Sequence, residues 1–308
     1  MLPLLPHRRR RSDRTAICDM PAECFHLRIG PFHARVETAL RHLSDELRRF
    51  YPDAFFAERP FADFHVRIRR AHGLRRWYRP QAIFELDGET PFKPLPFGQA
   101  LALFEWGMNH CIAGQAHHYL IIHAAVIERN GRAAILPAAP GSGKSTLTAA
   151  LVHRGWRLLS DELTLVRMAD RRLAPLARPV SLKNRSIDVI RDFAPEAVFG
   201  PRIDDTTKGT IALMRAPQAS IERVSETAPP GWIVFPQWKA GSPASMTPVG
   251  KADAMMELAR NATNYHVHGA DGFAALCEIV DRSACRRFVY SDLDDAVAAF
   301  ADLSNRAA

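Results

Sequence analysis

Residues 133–146 read Ala-Ala-Ile-Leu-Pro-Ala-Ala-Pro-Gly-Ser-Gly-Lys-Ser-Thr, an apolar strand that runs into a glycine turn and then into the start of a helix. That order of elements makes a phosphate cradle. The N–H groups of the turn point inward, the helix N-terminus at Ser145 adds its positive dipole end, the Lys144 ammonium reaches the outer phosphates and the Ser145 hydroxyl is suited to Mg²⁺. Pro140, Gly141, Ser142, Gly143, Lys144, Ser145 and Thr146 are the expected binding residues for a nucleoside triphosphate. The common form of such a loop has glycine at the position of Ala138. Here the tight turn is left to Gly141 and Gly143, which adopt positive φ without steric cost.

Downstream, Thr146 to His153 reads as a helix, Gly155 closes it, and Trp156 to Ser160 reads as a second buried strand. That strand ends in Asp161-Glu162. An acidic pair at a strand end is often no more than a solvated turn, but beside a phosphate loop it supplies what phosphoryl transfer requires. One carboxylate holds Mg²⁺ and the other accepts the proton of the attacking hydroxyl. Asp161 is assigned to the metal together with Ser145, and Glu162 to the base.

Residues 120–168, from Leu-Ile-Ile-His-Ala-Ala-Val through Ser-Asp-Glu-Leu-Thr-Leu-Val, resemble the catalytic domain of HPr kinase/phosphorylase. The nearest branch is the group called HPr kinase-related kinase A. His123, Lys144, Ser145 and the Asp161-Glu162 pair fall on that family's histidine, loop Lys-Ser and acidic pair at matching spacing. The resemblance implies ATP and Mg²⁺ as ligands, a serine on a protein or peptide as phosphate acceptor, and proton acceptance by Glu162. It also allows a homo-oligomer, since HPr kinases assemble as hexamers. The chain departs from the pattern in having Glu162 for aspartate, Pro140 for serine and Ala138 for glycine. It carries no copy of the Arg-Gly-x-Gly loop that links kinase and phosphorylase activities, so the reverse reaction is not expected. Similarity to the kinase A group extends from Phe61 to the C-terminus through the stretches 178–183, 208–210 and 290–293.

His123 sits in the apolar run Tyr119 to Val126, where a lone histidine is ordinarily a core residue. The family spacing adds a second reading, in which it orients the acidic pair or the phosphate. Arg178, Lys183 and Lys208 are candidates to bring positive charge to the transferring phosphoryl group, with Lys183 in Ser-Leu-Lys-Asn and Lys208 beside Gly209-Thr210 the strongest. His266 and His268 have no carboxylate cluster near them in sequence and are a weak metal signal.

The chain has 308 residues, 47% of them hydrophobic and 24% charged, enough for one large or two modest globular units. No apolar run approaches the roughly 18 residues of a spanning helix. Arg8 to Arg11 follow the apolar Met-Leu-Pro-Leu-Leu-Pro rather than precede it, the wrong order for a signal peptide, and a cytoplasmic protein is expected. Five scattered cysteines without a Cys-x-x-Cys indicate neither a disulfide framework nor a zinc site. Of the net charge of +8, part comes from Arg8, Arg9, Arg10, Arg11 and Arg14 in a segment without periodicity. A nucleotide or an acidic peptide accounts for a basic balance without nucleic acid, which is not expected as a partner.

Three segments are expected: 1–19, basic and outside the fold; 20–118, an α+β accessory or docking unit; and 119–308, the P-loop kinase domain. In the second, Cys24 to Val36 reads as a hairpin, Glu37 to Phe50 and Gly98 to His118 as helices, and Phe64 to Ile68 and Ala82 to Leu86 as strands. The aromatic stretch Arg76 to Pro80 reads as a packed strand edge or a docking surface. Beyond 162, short strands and loops run through Pro179, Ile187 to Phe193, Gly209 to Met214, Trp232 to Phe235 and Met246 to Val249. Helices follow at Lys251 to Asn261, Gly272 to Arg282 and Leu293 to Leu303. The implied fold is α/β, the HPr kinase and PEP carboxykinase type of P-loop domain behind a smaller α+β domain. The expected function is an ATP- and Mg²⁺-dependent kinase acting on a hydroxyl. The alternatives are a small-molecule kinase and a nucleotide-gated regulatory module.

Overall fold

The computed structural model describes residues 22–57 and 59–305, so the basic 1–19 segment lies outside the described residues. The chain opens with a hairpin, β1 (Glu23–Ile29) and β2 (Phe32–Thr38), followed by α1 (Arg41–Phe50), β3 (Phe64–Arg70), β4 (Gln81–Leu86) and the short β5 (Leu95–Pro96). These strands form one sheet in the order β1-β2-β3-β4-β5. Its strands alternate between buried and solvated residues, as a sheet with one covered face must. The cover is α1, through Leu43, Leu47 and Phe50, and α2 (Ala100–Gln115). Helix α2 is apolar on nearly all sides because it is enclosed on nearly all sides.

From α2 the chain enters the central sheet: β6 (Tyr119–Arg129), β7 (Arg132–Pro137), α3 (Lys144–Val152), β8 (Arg157–Ser160), β9 (Leu163–Arg167) and β10 (Leu173–Ala174). A small sheet follows from β11 (Val180–Lys183), α4 (Arg185–Phe193), β12 (Ile203–Thr206) and β13 (Gly209–Met214). After α5 (Gln218–Glu222) the chain returns with β14 (Pro230–Trp238), β15 (Ser245–Pro248), α6 (Lys251–Asn261), α7 (Tyr265–Arg282), β16 (Ala284–Tyr290) and α8 (Leu293–Asn305). The central order is β10-β9-β6-β7-β14-β16-β15, with β8 also paired to β6. This is a mixed α/β architecture with three sheets.

Strand direction decides where chemistry can sit. β14 runs parallel to β7 and to β16, whereas β6 runs antiparallel to both β7 and β8. The C-terminal ends of β7, β8, β14 and β16 therefore share one edge, the edge at which open α/β sheets bind ligands. One apolar cluster runs through the molecule from Leu27 and Val36 via Phe84 and Phe104 to Leu163 and Phe288.

Four expectations need correction. Ile187 to Phe193 is a helix, because Ile187 and Ile190 bury one face at helical spacing. Residues 284–290, unassigned in sequence, form β16, the last strand of the parallel set, between β14 and the antiparallel β15. The helix expected from Glu37 begins at Arg41, because Glu37 and Thr38 pair with Arg67 and Ile68 of β3. Arg76 to Pro80 is no strand edge: the chain there leaves a short 3-10 turn, and Trp77 and Tyr78 are 63% and 60% exposed. Among the described residues no helix is long and apolar enough to cross a membrane.

Candidate active site

The loop between β7 and α3 takes its shape from two glycines. Gly141 and Gly143 both have φ of +85°, and Gly143 is the N-cap of α3. A Cβ on Gly143 would come within 2.6 Å of the Tyr290 Oη, so glycine is required there for space as well as for conformation. The Tyr290 hydroxyl donates to the Gly143 carbonyl at 3.0 Å and the Trp238 N–H to the Ser142 carbonyl at 2.8 Å. The loop is thus tied to the ends of β14 and β16 before any ligand arrives.

Lys144 is buried, and its Nζ donates to the Asp161 backbone carbonyl and lies 3.8 Å from Asp161 Oδ1. The Ser145 hydroxyl donates to Asp161 Oδ2 at 3.1 Å. Asp161 and Glu162 occupy the link where the chain leaves β8 and re-enters as β9 along one edge of β6. His123 pairs there with Leu163, next to Ala124 opposite Pro137 at the root of the 138–143 loop. One cavity of about 520 Å³ collects His123, Lys144, Ser145, Glu162, Lys183 and Lys208 around the loop.

Burial and charge set the carboxylates apart. Burial pushes the Asp161 carboxyl above the usual range, and neighbouring Lys144 offsets this only in part. Burial also pushes Glu162 up, but Lys208, Arg178, Lys144 and Lys183 together outweigh it and hold Glu162 below the usual range, ionised at neutral pH. His123 is lowered by burial and then by Lys144, so its imidazole is neutral at neutral pH. Lys183 is likewise lowered by burial and then by Lys208.

Asp161 Oδ1 is buried without a hydrogen-bond partner. An orphaned carboxylate oxygen next to a serine hydroxyl is an all-oxygen donor set that suits Mg²⁺, which commonly takes one or two protein oxygens and the rest from phosphate and water. The residues present fit that ion. The unrelieved burial also has a stability consequence. A carboxyl whose pKa is higher in the folded than in the unfolded chain weakens the fold above that pKa, and the penalty disappears below the unfolded value near about 3.9. Asp161→Asn is therefore expected to melt at or above wild type in EDTA at neutral pH, with the difference closing as pH falls through the carboxylate range. Thermal melts from pH 7 to 4 check this. A variant several degrees less stable at neutral pH would show that the attraction of Lys144 exceeds the cost of burial.

The sequence reading missed Asn109. Its Nδ2 donates to Glu162 Oε2, and its Oδ1 accepts from Arg178 Nη1 at 2.5 Å. Because Arg178 can only donate, the Asn109 oxygen must face it and the NH₂ must face Glu162. Arg178 is in turn locked to Glu105 by its Nε at 3.0 Å and its Nη2 at 2.5 Å, and the Tyr51 hydroxyl donates to Glu105 Oε1 at 2.8 Å. Of the three basic candidates, Lys183 and Lys208 reach the cavity, while Arg178 is buried behind Glu162 as a structural partner. The available signal was Glu105 and Asn109, two polar residues one helical turn apart in a mostly apolar α2. His268 contacts the Tyr119 carbonyl at 3.0 Å, and no group of three or more His, Cys, Asp or Glu among the described residues is arranged to hold a metal.

No protein-family model matches this chain. No curated protein matches it either. Among solved structures, the Hpr(Ser) kinase/phosphatase from Coxiella burnetii aligns with 60% of this chain and 98% of its own, at 11% identity and a TM-score of 0.27. A likeness that slight says nothing of activity, which has to be read from the residues of the site.

Proposed function

We propose that this chain is an ATP- and Mg²⁺-dependent kinase that phosphorylates a hydroxyl, a serine of a protein or peptide. The observation that carries the reading is the convergence on one cavity of a glycine-loop helix N-terminus, Lys144, Ser145, and an ionised Glu162 faced by Lys183 and Lys208, with Asp161 and its orphaned oxygen bonded to Ser145 beside it. The resemblance of residues 120–168 to HPr kinase supports the choice of acceptor.

In this reading the loop N–H groups and Lys144 bind the outer phosphates. Ser145 and Asp161 hold Mg²⁺, which when bound neutralises phosphate charge and orients the transferring group. Glu162 accepts the acceptor hydroxyl proton as the oxygen attacks, and its low pKa keeps it ready at neutral pH. Lys183 and Lys208 stabilise the charge that spreads over the equatorial oxygens. Neutral His123 adjoins the acidic pair and orients it.

Proteins and peptides encoded by neighbouring genes, incubated with the protein and ATP labelled on its γ-phosphate, test the reading by mass spectrometry. Label on a serine, with ATP consumed only when that acceptor is present, is the expected result. Consumption at full rate without any acceptor would indicate an ATPase. Label on a metabolite would indicate a small-molecule kinase, and tight ATP binding with no consumption a regulatory module.

A further inference from the structure

The phosphate loop is the common wall of two cavities. One holds Lys144 and Glu162. The other, of about 550 Å³, shares Ala138 to Ser142 with it and is bounded by the end of β14, by Arg287 in the middle of β16 and by α6. Within the sheet these cavities belong to opposite sides of β7: β8, which leads to Asp161-Glu162, is on the β6 side, and β14 and β16 are on the other. A nucleotide whose last phosphate lies between Lys144 and Glu162 directs its nucleoside end away from β8, over the loop, towards β14.

Trp238 stands at that end. It is 48% exposed, although large aromatic side chains ordinarily bury more. Its indole Nε1 donates to the Ser291 carbonyl at 3.1 Å, its backbone N–H to the Ser142 carbonyl at 2.8 Å, and its Cβ lies 2.9 Å from where a side chain on Gly143 would begin. An exposed ring whose backbone is bonded to the loop at Ser142 and whose indole is bonded to Ser291 beyond β16 is a preorganised platform. Arg260 and Arg287 line the same cavity, Arg287 with its Nη2 at 2.6 Å from Glu257 Oε1. That composition suits a planar base beside a ribose and an inner phosphate.

We propose that this second cavity is the nucleoside subsite, with the base stacked on Trp238 and Arg260 and Arg287 at the ribose and α-phosphate. The proposal rests on the reading of the Lys144 loop as a triphosphate site. It adds that the base contributes to affinity through an aromatic face, which predicts tolerance between purines because every base has such a face.

The test compares Mg·ATP with Mg·tripolyphosphate, which has the phosphates and no nucleoside, by calorimetry on wild type, Trp238→Ala and Trp238→Phe. Trp238→Ala is expected to weaken ATP about tenfold or more while tripolyphosphate stays within about twofold, and Trp238→Phe to recover most of the loss. Unchanged ATP affinity in Trp238→Ala, or wild type binding ATP no better than tripolyphosphate, overturns the subsite and leaves the triphosphate site standing. Wild type binding neither ligand overturns both. Should Trp238→Ala lose both ligands because the loop has lost its anchor, photolabelling of wild type with 8-azido-ATP decides. Label in the peptide carrying Trp238 or Arg260 supports the proposal, and label confined to other peptides overturns it.

Discussion

Lys144→Ala is expected to abolish productive ATP use, lowering kcat/KM by about a hundredfold or more, the usual effect of removing one charge-assisted contact from a desolvated site. Two losses combine. The first is the cation facing the outer phosphates, which no other side chain of the 140–146 loop can replace. The second is the partner of Asp161, since the Lys144 Nζ bonds the Asp161 carbonyl and is the chief group that lowers the Asp161 carboxyl against its burial. Without it the Asp161 pKa rises further, so the variant should also demand more Mg²⁺ and lose it at higher pH than wild type does. Calorimetry with Mg·ATP at several pH values, alongside turnover assays, reads both effects. A Lys144→Ala protein that binds and turns over ATP like wild type would falsify the loop as a nucleotide site.

The parts of the fold legible in the sequence are those where one local pattern decides one element. The β7 strand, the turn with Gly141 and Gly143 at positive φ, and α3 behind it follow from residue order alone, because strand, glycines and helix start are adjacent. The hairpin of β1 and β2 and the strands β3 and β4 follow from alternation. Strand β16 did not, since Ala284 to Tyr290 mixes Arg286 and Arg287 into its middle and owes its place to pairing with β14, a partner distant in sequence. Ile187 to Phe193 is ambiguous in sequence, because its four apolar residues in seven fit a strand as well as a helix until burial picks out one face.

The candidate site divides in the same way. Lys144, Ser145 and Asp161 are joined by a local strand-loop-helix-strand unit, so residue order alone accounts for their proximity. What sequence could not supply is the support behind Glu162, built from Tyr51, Glu105, Asn109 and Arg178 on three segments distant in sequence. Arg178 shows why residue type misleads. A guanidinium near a phosphate site reads as a phosphate ligand, yet this one spends its donors on Glu105 and Asn109. Removing one member of a buried pair of that kind costs about 3–5 kcal/mol, so variants of Arg178 would report on folding before they reported on transfer.

Asn109 offers the cleaner probe, and it sharpens the prediction for Glu162. Glu162→Gln is expected to leave Mg·ATP affinity within about threefold while reducing phosphoryl transfer by about a hundredfold or more, because it removes the proton acceptor and keeps the shape. The geometry favours retention of structure: the Gln oxygen can accept from Asn109 Nδ2 as Glu162 Oε2 does now. Asn109→Ala leaves the carboxylate in place but frees it, so kcat should fall by about tenfold, far less than in Glu162→Gln. Loss of that donor also removes a bond to the ionised form, which raises the Glu162 pKa and moves the acid limb of kcat to higher pH. A purely structural role for Asn109 would lower Tm without moving that limb. If Glu162→Gln stays active, or if it and Asp161→Asn share one Mg²⁺ defect, the base has been assigned to the wrong carboxylate.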